Sequence, residues 1–416
     1  MRTLARPPWQ APLDWPAPVS AAAAPGGTRL LQGAIVLALA SLTLLDRFGW
    51  WVDALDYAVH PGLVALYATL LAALVGGAAQ LDMRHAARYV ALVVAGGLSY
   101  LVNWNFGAAP YVSLGSWFLL VVLYAPLCVS LREGALPASL WGWTARIYIG
   151  FMLLVAVAGI GQFFAQFVYR PEWLFDASLL IPPALRGFDA WKGVHDLGGW
   201  TKSNGFFLRE PSFFSIYMAF GLVLEMSLAR RRWVMAVFGL ALLLSYSGSG
   251  LLILAVALLF PLGPRSLLRF GAAAAVAAVV FLVFGDELNL TYTLDRAGEL
   301  SSNKSSAYCR FIDPAVVTLR DLPAHGWTAL LGHGPGTLHK MHFTCETTFG
   351  KVPFEYGLLG ALAIGMLMLG ALARPAVPVR IRAALVAQWL TQPWLLGPEG
   401  VLPIFILCAL WPRSRA

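Results

Sequence analysis

Long apolar runs alternate with polar turns along most of the chain. The runs fall at roughly 29–45, 62–79, 89–103, 114–131, 147–168, 211–228, 233–247, 249–263, 270–285, 353–373, 383–397 and 400–411. Several are shorter than the roughly 20 residues that a straight helical crossing of a bilayer needs, so the last pair is also compatible with a re-entrant hairpin. The pattern predicts an all-α, polytopic helical membrane protein with about 12 transmembrane helices.

Composition agrees with this class. The 416 residues are 59% hydrophobic and only 12% charged, which leaves too little polar surface for a soluble globule. The formal charge of +8 does not indicate nucleic acid binding, because the basic residues lie in small groups between apolar runs rather than in one stripe. They are better interpreted as topology signals, and we expect no nucleic acid partner.

The arginines predict the orientation. If the N-terminus is inside, the inner turns hold most of the arginines and the short outer turns hold only Arg47. Both ends are therefore expected in the cytoplasm, with two long loops on the other side. The predicted units are a cytoplasmic tail (1–28), N-terminal helices (29–168), a first outer loop (169–210), central helices (211–285), a second outer loop (286–352), and C-terminal helices with a tail (353–416).

The two outer loops contain every lysine of the chain and most of its histidines, so polar chemistry is expected there. Cys309 and Cys345 share the second loop, and an oxidising compartment would let them form a disulfide. The alternative is two unpaired, buried thiols. Cys128 and Cys408 lie in apolar runs and are expected to be small core residues.

The stretch TKSNGFFLREPSFFS (201–215) places Arg209 and Glu210 where a polar segment re-enters an apolar run. Charges at such a position cost several kcal/mol unless they are compensated, so this arginine indicates a site for an anion. The alternatives are an ion pair between Arg209 and Glu210, or an anchor at the membrane interface.

Motifs of soluble enzymes and of metal sites are not supported. SYSGSG (245–250) lacks a surrounding βαβ pattern and is expected to form a tight turn or a close helix contact between the seventh and eighth spans, and GHGPG (332–336) is expected to form a turn. The cluster of His333, His339 and His342 lacks an HExxH spacing, and there is no GxSxG elbow. We therefore expect no catalytic metal.

The order of several motifs is similar to that of one family. An arginine in an EPSFFS segment that opens a span, SYSGSGLL two spans later, a large outer loop with an arginine, then GHGPG and KVPFEYGLLGALA, together resemble the bacterial O-antigen polymerase and ligase superfamily. The resemblance covers roughly residues 200–373.

The resemblance implies a GT-C-like membrane glycosyltransferase of the bacterial inner membrane, with its active site facing the periplasm and without a metal or other cofactor. Such an enzyme takes a glycan from undecaprenyl diphosphate and transfers it with inversion. The acceptor is the end of another lipid-linked glycan in a polymerase, or lipid A-core in a ligase. Other polysaccharide assembly proteins are possible partners.

The resemblance also suggests the site residues. Arg209 and Arg310, in SSAYCRFIDP, are the candidate diphosphate contacts, with Glu210 beside the first. A solvated arginine paired with Asp313 is the alternative for Arg310. Lower-ranked substitutes are Arg296, Arg320 and Lys304.

A general base is expected near the end of the second loop. Where ligases typically carry a histidine in an HNxxL-like segment, this chain has Glu346, so Glu346 is the first candidate and His342 or His339 the second. It remains open whether any of these three is the base. The missing histidine favours a polymerase over a ligase.

A non-enzymatic transporter or flippase of lipid-linked glycans is the alternative from another class. Many spans with both ends inside also fit a transporter. The two halves of this chain differ in loop length, however, and show no internal repeat.

Overall fold

The computed structural model describes residues 26–52, 57–107, 109–132, 135–137, 139–187, 199–261, 263–284, 306–342, 345–373 and 377–411. This part of the chain is mostly helical. A helix lies on each apolar run, because a helix satisfies its own backbone hydrogen bonds where no water is available. The helices are α1 (Gly26–Thr43), α2 (Pro61–Val75), α3 (Met83–Phe106), α4 (Leu114–Tyr124), α5 (Ser139–Ala165), α6 (Glu172–Phe175), α7 (Pro211–Ser227), α8 (Arg232–Leu244), α9 (Gly248–Leu259), α10 (Pro264–Phe284), α11 (Ser306–Phe311), α12 (Asp313–Asp321), α13 (Thr328–Leu331), α14 (Thr337–His342), α15 (Thr348–Leu372), α16 (Val379–Thr391) and α17 (Pro398–Ile404).

Short irregular helices and strands complete the fold. Single 3₁₀ turns lie at Ala125–Cys128, Ala177–Leu180, Pro183–Leu185 and Leu322–Ala324, and a π-helical turn at Phe405–Ala409 follows α17. Two antiparallel ribbons pair β1 (Trp50–Val52) with β2 (Tyr57–Val59), and β3 (Ala79–Leu81) with β4 (Val129–Leu131). The all-α prediction did not include these ribbons, because strands of three residues are too short to show an alternating pattern.

Three of the described helices are long and apolar enough to cross a membrane, namely α3, α5 and α15. Most of the others on the apolar runs have 10–17 residues, less than a straight crossing requires. Apolar helices of this kind fit a membrane protein. The number of about 12 crossings and the GT-C-like arrangement stay predictions.

Helix α7 is buried along most of its length. From Pro211 to Glu225 only Leu222 is not buried, and the helix packs against α5, α8 and α9. A helix that is apolar on all sides is stable only when other elements surround it. At its far end Glu225 accepts hydrogen bonds from Arg231, with 2.8 Å between Oε2 and Nη2.

A glycine lets α9 approach the α7 backbone. The Gly250 amide donates to Ser215 Oγ at 3.0 Å, and a Cβ at Gly250 would lie 2.2 Å from the Ser215 carbonyl oxygen. The close contact expected of SYSGSG is thus made largely with α7, while residues 245–247 form the turn between α8 and α9. Only glycine fits at this crossing without a displacement of the two helices.

The GHGPG turn packs into an interruption of α15. Gly357 has a positive φ of 61°, so the preceding carbonyl groups have lost their helical partners. The 332–336 turn replaces those partners: the His333 amide donates to the Phe354 carbonyl at 2.8 Å, and the next amide donates to the Glu355 carbonyl at 3.0 Å. The segment expected to be a simple turn therefore holds the first part of α15 in place.

Polar side chains gather at one end of the helices, which we call the polar end. It contains the C-terminal end of α1 and the N-terminal ends of α2, α7, α15 and α17. The arginine distribution predicts that these same helix ends are the outer ones. The candidate site residues that the structure describes lie in this region or in the loop beside it.

We predict that Gly250→Val destabilises the protein. The added side chain overlaps the Ser215 carbonyl, and overpacking of a core contact costs about 1–3 kcal/mol. The melting temperature of the detergent-solubilised protein should fall. Gly239→Val in α8, where a Cβ meets nothing within 4 Å, is the matched control, and an equal loss in both variants would contradict the close helix crossing.

Candidate functional site

Arg209 is surrounded by carboxylates. It precedes the first residues of α7, where its backbone amide and its Nε both lie 3.1 Å from Asp46 Oδ2. Its Nη2 donates to Asp46 Oδ1 at 3.2 Å and to Glu399 Oε1, and the Phe213 ring lies 5.1 Å from its guanidinium carbon. Both acids are almost fully buried. Arg209 therefore joins the ends of α1, α7 and α17 through buried charge pairs.

The acids around Arg209 raise the question of a metal. Ligand atoms of Asp46, His60 and Glu399 all lie within 4.8 Å of one another. However, His60 Nδ1 accepts the Gly62 amide at 3.0 Å, so Nε2 carries the ring proton and donates to the Asp46 carbonyl at 3.1 Å. Neither nitrogen then has a lone pair for a metal, and the Arg209 guanidinium already supplies the positive charge. The group is best described as an ion-pair network.

Arg47 extends this network to the first outer loop. The side chain is buried, with Nη1 3.0 Å from Asp176 Oδ1, and its Nη2 donates to the Leu208 carbonyl at 2.6 Å. Burial lowers the pKa of Arg47, while the negative charges of Asp176 and Asp46 oppose this shift. The residue immediately before Arg209 is thereby fixed to the end of α1.

Arg310 meets the residue next to Arg209. Its Nη2 lies 3.4 Å from Glu210 Oε2, although the two residues are 100 positions apart. Glu210 also accepts a hydrogen bond from Ser212 Oγ at 2.7 Å. In the part of the chain that the structure describes, Glu210 is the one acid within salt-bridge distance of Arg310. The substitutes Arg296 and Lys304 lie outside the described residues.

A disulfide brings Arg310 close to Glu346. The structure bonds Cys309 to Cys345, with their Cα atoms 5.3 Å apart, and Thr347 Oγ1 donates to the Arg310 carbonyl at 3.1 Å. Arg310 and Glu346 are thus neighbours of the two bridged cysteines. Glu210, Arg310 and Glu346 are therefore brought into one region.

Glu346 belongs to a chain of three charges. Lys351 Nζ donates to Glu346 Oε2 and lies 3.8 Å from Glu355 Oε1. The Glu346 side chain is 30% exposed, whereas Lys351 and Glu355 are buried. Glu355 Oε1 also accepts the Leu338 amide at 3.2 Å. Glu346 is therefore the member of this group that a substrate can reach.

The candidate histidines differ in their surroundings. His342 Nε2 lies 2.8 Å from Asp321 Oδ2, and Arg320 donates to the other carboxylate oxygen at 2.6 Å. That hydrogen bond from Arg320 is the main reason why the pKa of Asp321 is lowered. Burial lowers the pKa of His333, which contacts the Asp321 carbonyl at 3.1 Å. His339 is exposed, whereas His342 lies beside the Asp321 carboxylate.

Sequence reasoning missed Asp46, His60, Glu399 and Lys351. Each is a polar residue at or near the end of an apolar run, as Arg209 is, and that shared position was a usable signal. What the sequence did not show is that the acids belong to Arg209. Its predicted alternative partner, Glu210, contacts Arg310 instead.

Comparison with known proteins identifies the family. No curated protein and no solved structure matches the chain. The model of a family described as WcaD colanic acid polymerase matches residues 114–339, which include Arg209, Glu210, Arg310 and His339. The match covers more than half of the 416 residues and confirms the predicted resemblance to polysaccharide polymerases. This chain belongs to the WcaD colanic acid polymerase family.

Proposed function

We propose that this chain extends a polysaccharide by transferring a glycan from undecaprenyl diphosphate to the end of another lipid-linked glycan. The family match and the apolar helices support a polymerase that acts at a membrane. A lipid diphosphate has its hydrocarbon tail in the bilayer and its anionic head at the interface, so its site needs cations at the end of apolar helices. We place the site on the periplasmic face of the inner membrane, with both termini in the cytoplasm.

The contact between Arg310 and Glu210 supports this proposal most directly. At 3.4 Å it is longer than the 2.7–2.9 Å typical of a strong charge-assisted hydrogen bond, and both side chains are partly exposed. Such a pair contributes about 1 kcal/mol or less. A diphosphate can therefore replace Glu210 on the guanidinium at little cost, and Arg310 is the proposed diphosphate ligand.

Arg209 has a different role in this proposal. Its guanidinium already binds Asp46 and Glu399, so transfer to a substrate would leave two buried carboxylates without their cation. We propose that Arg209 anchors the start of α7 and thereby directs Glu210 towards Arg310. The sequence suggested that Arg209 and Arg310 both contact the diphosphate. In this proposal only Arg310 binds the diphosphate, and Arg209 anchors the start of α7.

The transfer is a single displacement at the anomeric carbon. The acceptor hydroxyl attacks from the face opposite the diphosphate, a new glycosidic bond forms, and the bond between the anomeric carbon and the diphosphate oxygen breaks with inversion. The hydroxyl proton passes to the Glu346 carboxylate, and the diphosphate leaves with the bonding electrons. Arg310 stabilises the charge that develops on the leaving oxygen. No metal or other cofactor takes part in these steps.

His342 is the second candidate for the base. The Asp321 carboxylate lies 2.8 Å from its Nε2, so an acid adjoins the candidate base, but these two atoms form no hydrogen bond in the described structure. Glu346 ranks first because it adjoins Cys345 and so lies beside the segment that carries Arg310. The exposed His339 ranks last.

One reconstitution experiment separates the candidate functions. Purified protein in nanodiscs is supplied with undecaprenyl-diphosphate-linked repeats, without nucleotide and with a chelator, and the products are separated by length. Longer lipid-linked chains support the polymerase. Product that forms only with lipid A-core indicates a ligase, and translocation in vesicles without any transfer indicates a flippase.

We predict that Arg310→Ala lowers the polymerisation rate by about 100-fold or more, because a charge-stabilising donor is lost. The rate is measured as the loss of lipid-linked repeats under saturating substrate. Lys340→Ala, which removes an exposed cation of the same outer loop, is the matched control and should polymerise normally. Equal rates in the Arg310 variant and the wild type would remove Arg310 from the site.

We predict that Glu346→Gln lowers the turnover rate by about 100-fold or more with little change in substrate affinity, since glutamine cannot accept the hydroxyl proton. Single-turnover kinetics with a labelled donor gives both quantities. His342→Gln is run in parallel. If the His342 variant loses turnover and the Glu346 variant keeps the wild-type rate, His342 is the base.

We predict that Arg209→Ala destabilises the fold, whereas Arg310→Ala does not. Removing one partner of a buried charge network costs about 3–5 kcal/mol, because the remaining charges stay buried. Thermal unfolding of both purified variants measures the difference. A stable but inactive Arg209 variant would show instead that Arg209 binds the diphosphate together with Arg310.

A further inference from the structure

Two cavities meet at the end of α15 that lies opposite the polar end. The first, of about 510 Å³, lies between α9, α15 and α16, and its lining includes Leu252, Val256, Leu369 and Arg382. The second, of about 520 Å³, is lined by Arg88, Met366, Leu369, Gly370 and Ala373. Leu369 and Ala373 line both cavities. The two are therefore adjoining parts of one surface around the end of α15.

In the second cavity the Arg88 guanidinium packs against Gly370. A Cβ at Gly370 would lie only 1.9 Å from Arg88 Nη1, so the guanidinium rests directly against the α15 backbone. That nitrogen is buried and has no hydrogen-bond partner among the described residues. Glycine inside a helix costs about 1 kcal/mol relative to alanine. Here it leaves room for the positive charge of Arg88.

The first cavity is also lined by an arginine. Arg382 lies in the first turns of α16, and its Nε is buried without a hydrogen-bond partner in the described part of the chain. The remainder of the lining is almost entirely apolar, and the residues found to line the two cavities include no acid. A buried donor without an acceptor is costly, so both guanidinium groups favour an anionic ligand.

We propose that this surface binds an anionic phospholipid of the membrane. Its phosphates would lie on Arg88 and Arg382, and its acyl chains along Leu252, Val256 and Leu369. Basic pockets between membrane helices bind such headgroups. Two arginines on either side of one shared wall favour a lipid with two phosphates, the diphosphatidylglycerol class.

This site is separate from the proposed transfer site. Glu355 lies in the first turns of α15, whereas Gly370 lies near its last turn. A helix rises about 1.5 Å per residue, so these positions are roughly 20 Å apart along the axis. The lipid site does not depend on the proposed polymerase reaction.

The test is lipid binding to the purified full chain, measured by native mass spectrometry. Tetraoleoyl cardiolipin is titrated against dioleoyl phosphatidylglycerol and dioleoyl phosphatidylcholine. We expect cardiolipin to bind most tightly and phosphatidylcholine least. Arg88→Gln and Arg382→Gln should each weaken cardiolipin binding about fivefold, whereas Arg84→Gln, an exposed cation on α3, should leave it unchanged.

A second variant keeps the test valid if an arginine variant fails to fold. Gly370→Ala displaces the Arg88 guanidinium but keeps its charge, and should also weaken cardiolipin binding. Gly365→Ala, where a Cβ meets nothing within 4 Å, is its control. Equal affinities for all three lipids, or wild-type affinity in the Arg88, Arg382 and Gly370 variants, would overturn the proposal. Displacement of cardiolipin by undecaprenyl phosphate would assign the surface to the substrate lipid instead.

Discussion

The partly buried guanidinium of Arg209 is the constraint on which the polar end depends. Asp46 and Glu399 lie far from Arg209 in sequence, 163 and 190 positions away, and each would be costly to bury alone. One arginine compensates both, provided that the ends of α1, α7 and α17 come together. Buried charge pairs of this kind restrict how the helix ends are arranged but add little net stability. Their effect is to direct Glu210, the next residue, towards the second outer loop.

The second outer loop is held by equally specific contacts. The disulfide between Cys309 and Cys345 places Arg310 beside the segment that carries Glu346, and the 332–336 turn binds the carbonyls left open by the interruption in α15. Lys351 then links Glu346 to the buried Glu355. The proposed diphosphate ligand and the proposed base thus lie on neighbouring segments, as the proposed transfer requires.

Helix α15 connects two regions with different chemistry. Its first turns carry paired charges around a proposed transfer site, whereas its last turns form the apolar wall between Arg88 and Arg382. The arginines at the two ends differ accordingly. Arg209 is neutralised by protein carboxylates, while Arg88 and Arg382 each keep a buried nitrogen with no acceptor among the described residues. Such arginines are available to the lipid that surrounds the protein.

The sequence alone determined the helices, the class and the family. Apolar runs predict helices because a helix forms its backbone hydrogen bonds between residues that are close in the chain. The motifs around Arg209 and Arg310 suggested the polymerase resemblance that the family match confirms. The tertiary structure alone decided the partners: Arg209 with Asp46 and Glu399, Glu210 with Arg310, and Arg88 against Gly370. Periodicity and short motifs report on residues that are close in the chain. The partner of a buried charge can lie more than 100 positions away, so it is known only once the helices have packed.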